Sequence, residues 1–189
     1  MDYHKISLGK IAKQLETPDG YIRLSGPLEH DNIVNGDGLR AVIWTQSCPI
    51  HCMGCQNPET WDFKYGQEFD EHTEEFIIKS LKSDYITGLT LLGGDPFEPE
   101  NAFDLIGFLK KIKALYPHKT IWCYTGYVFE NLITNPLYKQ MLQLIDVLVD
   151  GKFEQEFYQV GLKFKGSTNQ RIIDVKKSLE QKEIILKYT

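Results

Sequence analysis

The sequence predicts an α/β fold, a partial (incomplete) TIM-type β/α barrel built on a parallel sheet. Three observations predict it. Four short apolar runs, Ala41-Val42-Ile43-Trp44, Leu89-Thr90-Leu91-Leu92, Ile121-Trp122-Cys123-Tyr124 and Val147-Leu148-Val149, lack polar alternation, as strands buried on both faces do. Segments of helical spacing lie between them, and strands alternating with helices form parallel sheets through right-handed crossovers. Finally, the chain has 189 residues and spends about 40 of them before the first run. A complete eight-stranded barrel takes about 250.

Taken in order, residues 1–35 carry Pro18, Gly20, Gly26 and Pro27. They are expected as an irregular or hairpin N-terminal extension packed on the sheet, within a single domain 1–189, because no linker composition marks a boundary. The first strand leads into a cysteine cluster beginning at Cys48. A helix is expected from near Asp70 to about Lys82, with Glu71, Glu74 and Glu75 in its first turns and lysines towards its end, as the helix dipole favours. The second strand runs into Gly93-Gly94-Asp95-Pro96. After Pro99, Leu105, Phe108, Leu109 and Ile112 fall on one helical face, while Lys110, Lys111 and Lys113 take the other. The third strand ends at Thr125-Gly126 and the fourth at Asp150-Gly151. The stretch 176–183 reads as a solvated helix face. In a parallel sheet all four strand ends share the carboxyl edge, where α/β proteins place their ligands.

Composition narrows the function. Apolar residues make up 42% and charged residues 25%, which suits a soluble globular chain. Against 26 acidic residues stand 21 basic ones, spread along the chain for a formal charge of −5, so a nucleic-acid partner is not expected. The first residues form no apolar signal region, and no run approaches the roughly 18–20 apolar residues of a membrane span, so the expected setting is the cytoplasm, with no membrane partner. Thiols clustered in a reducing compartment point to metal or catalytic chemistry rather than disulfides.

Three of the four cysteines lie in Cys48-Pro49-Ile50-His51-Cys52-Met53-Gly54-Cys55, a C-x3-C-x2-C spacing after a strand. Three thiolates so close repel one another unless a positive centre neutralises them. Structural zinc takes four closed ligands, and four-iron clusters serving only electron transfer usually take four cysteines. Here three are local, and Cys123 sits about 70 residues on in an expected strand, as a small buried core residue. Three ligands on a four-iron cluster leave one iron open to a substrate. The rival is a three-cysteine, one-histidine zinc site completed by His51, which demands ligation by the adjacent His51 and Cys52. The spacing favours the cluster, and zinc stays open. Trp44, Trp61 and Trp122 are expected as packing residues, with Trp61 placed to shield the cysteine loop, and the five histidines show no ligand spacing among themselves.

These blocks, together with Val34-Asn35-Gly36-Asp37-Gly38-Leu39-Arg40, Gln56-Asn57-Pro58-Glu59-Thr60-Trp61, Trp122 to Tyr127, Val147 to Phe153 and Gly166-Ser167-Thr168-Asn169-Gln170-Arg171, resemble the radical S-adenosylmethionine superfamily. Within it they resemble the glycyl-radical activating enzymes that serve anaerobic ribonucleotide reductases. The resemblance implies that Cys48, Cys52 and Cys55 are the metal ligands and catalytic centre of one 4Fe-4S cluster. Its open iron would be chelated by the amino and carboxylate groups of S-adenosyl-L-methionine. Reductive cleavage would give a 5′-deoxyadenosyl radical that takes hydrogen from a glycine of the large subunit of an anaerobic ribonucleoside-triphosphate reductase. Gly93, Gly94, Asp95 and Pro96 match the loop that receives the cosubstrate's amino group. Gly54 and Gln56, flanking Cys55, match adenosyl contacts, and Asp150 and Lys152 match a strand end lining the cosubstrate site. The same resemblance implies a flavodoxin-type electron donor and is compatible with a homodimer. Two positions depart from the wider pattern: Gly54 stands where an aromatic residue is common, and Asp37 where related activators carry proline between two glycines. The alternatives are an activator of another glycyl-radical enzyme, of the pyruvate formate-lyase type, and a non-catalytic zinc or iron-sulfur binding module.

Overall fold

The computed structural model describes residues 23–25 and 28–188. Most of the expected N-terminal extension, residues 1–22, lies outside the described residues. In chain order the elements are β1 (Arg23–Leu24), β2 (Glu29–Asn32), β3 (Leu39–Thr45), a 3-10 turn (Pro58–Trp61), β4 (Gln67–Glu68), α1 (Glu71–Ser80), β5 (Ile86–Gly93) and α2 (Pro99–Leu115). There follow β6 (Thr120–Tyr124), α3 (Phe129–Leu132), α4 (Pro136–Leu142), β7 (Val147–Asp150), a second 3-10 turn (Gln155–Phe157), β8 (Arg171–Asp174) and α5 (Val175–Gln181).

The four apolar runs are the four parallel strands. Strands β3, β5, β6 and β7 pair in that order, in a sheet running β4-β1-β3-β5-β6-β7-β8. Both β1 and β2 pair antiparallel with the other side of β3, so this part of the extension joins the sheet edge. At the far end β8 pairs antiparallel with β7. Registers Thr45↔Gly93 and Tyr124↔Val149 bring the strand ends level at the carboxyl edge. Gly88 of β5 is required by contact, since a Cβ there would fall on the Thr120 carbonyl of β6.

The helices start where local chemistry dictates. Asp70 caps α1 by accepting the Thr73 N–H at 2.8 Å, Pro99 opens α2 where its missing N–H costs nothing, and Asn135 accepts from Leu137 to open α4. Asp174 caps α5, which ends at Lys182 in the left-handed region, φ 59°. Parity along the strands sorts the core into two sides. Ala41, Ile43, Leu89, Leu91, Ile121, Cys123 and Leu148 face the helices, packing on Ile77, Leu105, Leu109 and Met141. Trp122, Val147, Val149 and Ile172 face the other way, with Tyr124 and Phe164.

That second side holds a buried guanidinium. Arg40 donates to Thr90 Oγ1 (2.7 Å), to the carbonyls of Leu89 (2.7 Å), Thr120 (2.9 Å) and Asp37 (3.1 Å), and to Thr120 Oγ1 (2.9 Å). Its carbon lies 5.6 Å over the Trp122 ring. Burial lowers its pKa to about 10, so it stays a cation at neutral pH, and it locks the amino edge of three parallel strands. The same edge is strapped by residues 185–188: the Asp174 and Lys187 amides exchange bonds with the Ile185 and Ile172 carbonyls, and the Tyr188 hydroxyl donates to Asp37 at 2.5 Å. Among the described residues no helix is long and apolar enough to cross a membrane.

Arg40→Leu would strip donors from the buried Thr90 Oγ1 and Leu89 carbonyl and from the partly buried Thr120 carbonyl. It is expected to cost about 3 kcal/mol or more, read as a lower urea midpoint at unchanged slope.

Candidate functional site

At the carboxyl edge a cavity of about 430 Å³ opens, within the size range of small-molecule sites, about 300–1,000 Å³. Its wall is built by Val34, Asn35 and Trp44, the cysteine loop with Gln56 and Asn57, Leu92 to Asp95, Tyr124 to Gly126, Gly151 with Phe153, and residues between Tyr158 and Gln170.

The cysteine loop folds back on itself through three left-handed residues, Ser47 (φ 71°), His51 (φ 49°) and Gly54 (φ 73°), and through the Cys55 amide, which donates to the Cys52 carbonyl at 3.1 Å. Thr60 fastens it below by donating to Asn57 O (2.7 Å) and Gly93 O (3.0 Å). The result is that Cys48, Cys52 and Cys55 all reach one cavity. The Cys55 sulfur accepts the Asn57 amide at 3.4 Å, and main-chain N–H groups of Ile50 and His51 favour the charged form of Cys48, as that of Phe153 does for Cys52.

Such donors suit sulfur carrying negative charge, yet without a cation burial pushes Cys48 up to about 12, with Asp95 and Cys52 adding to the rise. Cys52 is raised in the same way, first by burial and then by Cys55. A bound cationic centre would displace those protons, so the donor set fits a thiolate-ligated metal group. Among the described residues no three His, Cys, Asp or Glu gather tightly enough for a single ion. The His51 ring is instead stacked on Trp61, centroids 4.6 Å apart, outside the thiol set.

The opposite wall depends on close backbone approach. Gly94 donates to Thr45 O at 2.6 Å and Asp95 to Ser47 O at 2.9 Å, stitching the end of β5 to the start of the cysteine loop. A Cβ on Gly94 would lie 2.6 Å from the Gln46 carbonyl and 2.7 Å from that of Ser47. The buried Asp95 carboxylate accepts from Thr125 Oγ1 (2.8 Å) and from the amides of Gly126 (2.9 Å) and Phe97 (2.9 Å). Burial outweighs these bonds and raises it to about 6. Glu98, just beyond, is raised further, to about 8, by burial and then by Asp95 and Glu100, and its Oε2 has no partner.

Of the residues singled out from sequence, Cys48, Cys52, Cys55, Gln56, Gly93, Gly94 and Asp95 come together on this wall. Gly54 is exposed off the wall, and a side chain there would collide with Gln155. Pro96 is buried behind it. Asp150 is buried too, bonded by Arg171 (2.9 and 2.5 Å) and by the Phe129 amide (2.8 Å), while Lys152 is exposed. Of the tryptophans, Trp122 is core, Trp44 lines the cavity and donates to Glu29 at 2.9 Å, and Trp61 covers His51. Sequence reasoning missed Asn57, Tyr124, Phe153 and the wall from Tyr158 to Gln170. The signal available was the glycine spacing at 151, 161 and 166, which releases a long segment back across the edge. The Tyr124 hydroxyl is buried without a partner.

Two outcomes follow from this geometry. Gly94→Ala is expected to cost about 2 kcal/mol in thermal unfolding, because backbone on two sides cannot yield. For Glu98, the fold raises the pKa from 4.5 to about 8, so the native chain keeps a proton that the unfolded chain releases. Stability therefore falls as pH rises from about 4.5 to about 8 and levels off above that window. Glu98→Gln should remove this slope, matching the parent near pH 4 and exceeding it at pH 8.5 in urea titrations.

The family described as 4Fe-4S single cluster domain matches residues 34–173, a span that holds the whole cavity wall. Several relatives carry the name anaerobic ribonucleoside-triphosphate reductase-activating protein. The one from Pasteurella multocida (strain Pm70) is 43% identical over 143 residues, 75% of this chain and 90% of the relative. That of Escherichia coli (strain K12) is 40% identical over 141 residues, 74% and 90% of the two chains. That of Enterobacteria phage T4 is 39% identical over 141 residues, 75% and 87%.

Proposed function

Since this chain belongs to the family of anaerobic ribonucleoside-triphosphate reductase-activating proteins and carries a 4Fe-4S single cluster domain, we propose that it is a radical S-adenosylmethionine oxidoreductase that installs a glycyl radical in the large subunit of that reductase. When bound, the cluster would supply the electron that cleaves S-adenosylmethionine to methionine and a 5′-deoxyadenosyl radical, which takes a hydrogen atom from the target glycine. The observation that carries this reading is the convergence of three thiols on one ligand-sized cavity walled by Gly93 and Gly94.

In this reading Cys48, Cys52 and Cys55 hold the cluster, and the three-ligand count leaves a metal position for the cosubstrate. Gly93 and Gly94, bare of side chains, let the cosubstrate lie against backbone. Asp95 holds the Thr125–Gly126 turn in place rather than reaching the ligand, since both its oxygens accept bonds from protein donors. Trp44, Tyr124 and Phe153 supply aromatic walls that exclude water from a reactive intermediate. Asp150 would reach the cosubstrate only by giving up a bond to Arg171. The parallel strands β3, β5, β6 and β7 would form a partial barrel whose open side admits a loop of the partner. A cytoplasmic setting, a flavodoxin-type donor and a homodimer complete the proposal.

The test is anaerobic. Protein reconstituted with iron and sulfide, reduced with dithionite and given S-adenosylmethionine should yield 5′-deoxyadenosine, and Cys52→Ala should yield none. With the reductase added, a glycyl-radical signal should appear in the electron paramagnetic resonance spectrum of the partner. Radical transfer to a pyruvate formate-lyase alone would favour the other activator class, and zinc bound without iron or sulfide would sink the radical reading.

A further inference from the structure

Among the described residues that line the cavity, Lys165 alone is basic. Its ammonium has three N–H donors. Two are accepted by main-chain carbonyls, those of Gln170 at 3.0 Å and Thr168 at 3.3 Å, and among the described residues it has no carboxylate partner. Asp95 alone among the described lining residues carries a carboxylate, and its oxygens are already filled by Thr125, Gly126 and Phe97.

The chain is bent to put this lysine there. Phe164, just before it, sits in the left-handed region at φ 58°, which residues other than glycine seldom adopt. In an extended segment consecutive side chains point to opposite faces. Here Phe164 and Lys165 line the same cavity, and the Phe164 ring is held edge-on to Trp122, centroids 5.2 Å apart. Backbone strain kept in this way is a mark of functional constraint. The two carbonyls fix the ammonium before any ligand arrives, so little further side-chain entropy is lost on binding. One donor and the charge remain uncommitted.

We propose that Lys165 binds the carboxylate at the amino-acid end of the cosubstrate. This rests on the reading of the cavity as an S-adenosylmethionine site. The other two charges of that molecule, its ammonium and sulfonium, are positive, so the carboxylate is the group that a lysine attracts while it repels the rest. The pair therefore fixes which way round the molecule lies. A charge-assisted bond of this kind bears on affinity by about tenfold or more. Cleavage leaves the carboxylate on methionine, so Lys165 holds that fragment and not the adenosyl one.

The test measures binding rather than turnover. Full-length protein is reconstituted anaerobically with iron and sulfide and kept oxidised, so that the cosubstrate is not consumed, and calorimetry compares S-adenosylmethionine with its decarboxylated analogue. Lys165→Met should weaken S-adenosylmethionine by about tenfold or more and change the analogue by less than about twofold. Lys165→Arg should keep most of the affinity. Lys163→Met, which removes an exposed lysine two residues away, should bind both ligands as the parent does. Equal losses for the two ligands overturn the proposal. So does no loss for either, even where binding of the reductase weakens, a result that would give the lysine to an acidic group of the partner. Should the Lys165 variants fail to fold, the unaltered protein decides: S-adenosylmethionine should shield Lys165 from an amine-reactive ester, read by peptide mass spectrometry, more than the analogue does, and equal shielding overturns the proposal. A parent that takes up iron yet binds no S-adenosylmethionine overturns the underlying reading, and that case shows in the parent before any variant is compared.

Discussion

A carboxylate without solvent, Asp95, is the joint on which the carboxyl edge depends. Its oxygens collect Thr125 and Gly126 from the turn that follows β6 and Phe97 from its own loop, and its amide reaches Ser47 at the head of the cysteine loop. Three strand ends are thereby held at a common level by one side chain and its backbone. Because a buried acceptor set is costly to leave unfilled, each of these segments is constrained by the others. The thiols owe their convergence to that constraint as much as to their spacing.

The opposite edge is held by a positive charge. Arg40 spans β3, β5 and β6 through carbonyls and hydroxyls, with Trp122 beneath it. The sheet is therefore pinned at both ends by buried ionisable groups, a carboxylate at one and a guanidinium at the other, each satisfied by neutral partners. Between them lie apolar residues on two sides of the strands. Rigid strands with polar locks at their ends leave the loops free to carry chemistry.

What could be read from the sequence follows from how local the signal was. The four parallel strands were legible because burial on both faces forces uninterrupted apolar runs, and α2 because Leu105, Phe108, Leu109 and Ile112 mark one face. The cysteine wall and Gly93-Gly94 were legible because thiol spacing and paired glycines carry their chemistry within a few residues. Strand β2, Glu29-His30-Asp31-Asn32, was not, since it is an edge strand of polar residues whose pairing is decided by β3. Nor was the far wall of the cavity. Phe153, Tyr158 and Gln170 reach it through turns and side-chain bonds between segments, and Asp150 is diverted from it by Arg171, a partner 21 residues away.

The strap at the amino edge links Tyr188 to Asp37, a separation of 151 residues. Crossovers between neighbouring parallel strands close far shorter loops, so the four central strands can assemble stepwise while this contact waits on the whole chain. Its entropic cost is modest all the same, because each doubling of loop length adds only about 0.6 kcal/mol. Tyr188, Lys187 and Asp37 thus tie distant parts of the sequence together at the base of the sheet, opposite the edge that carries the cavity.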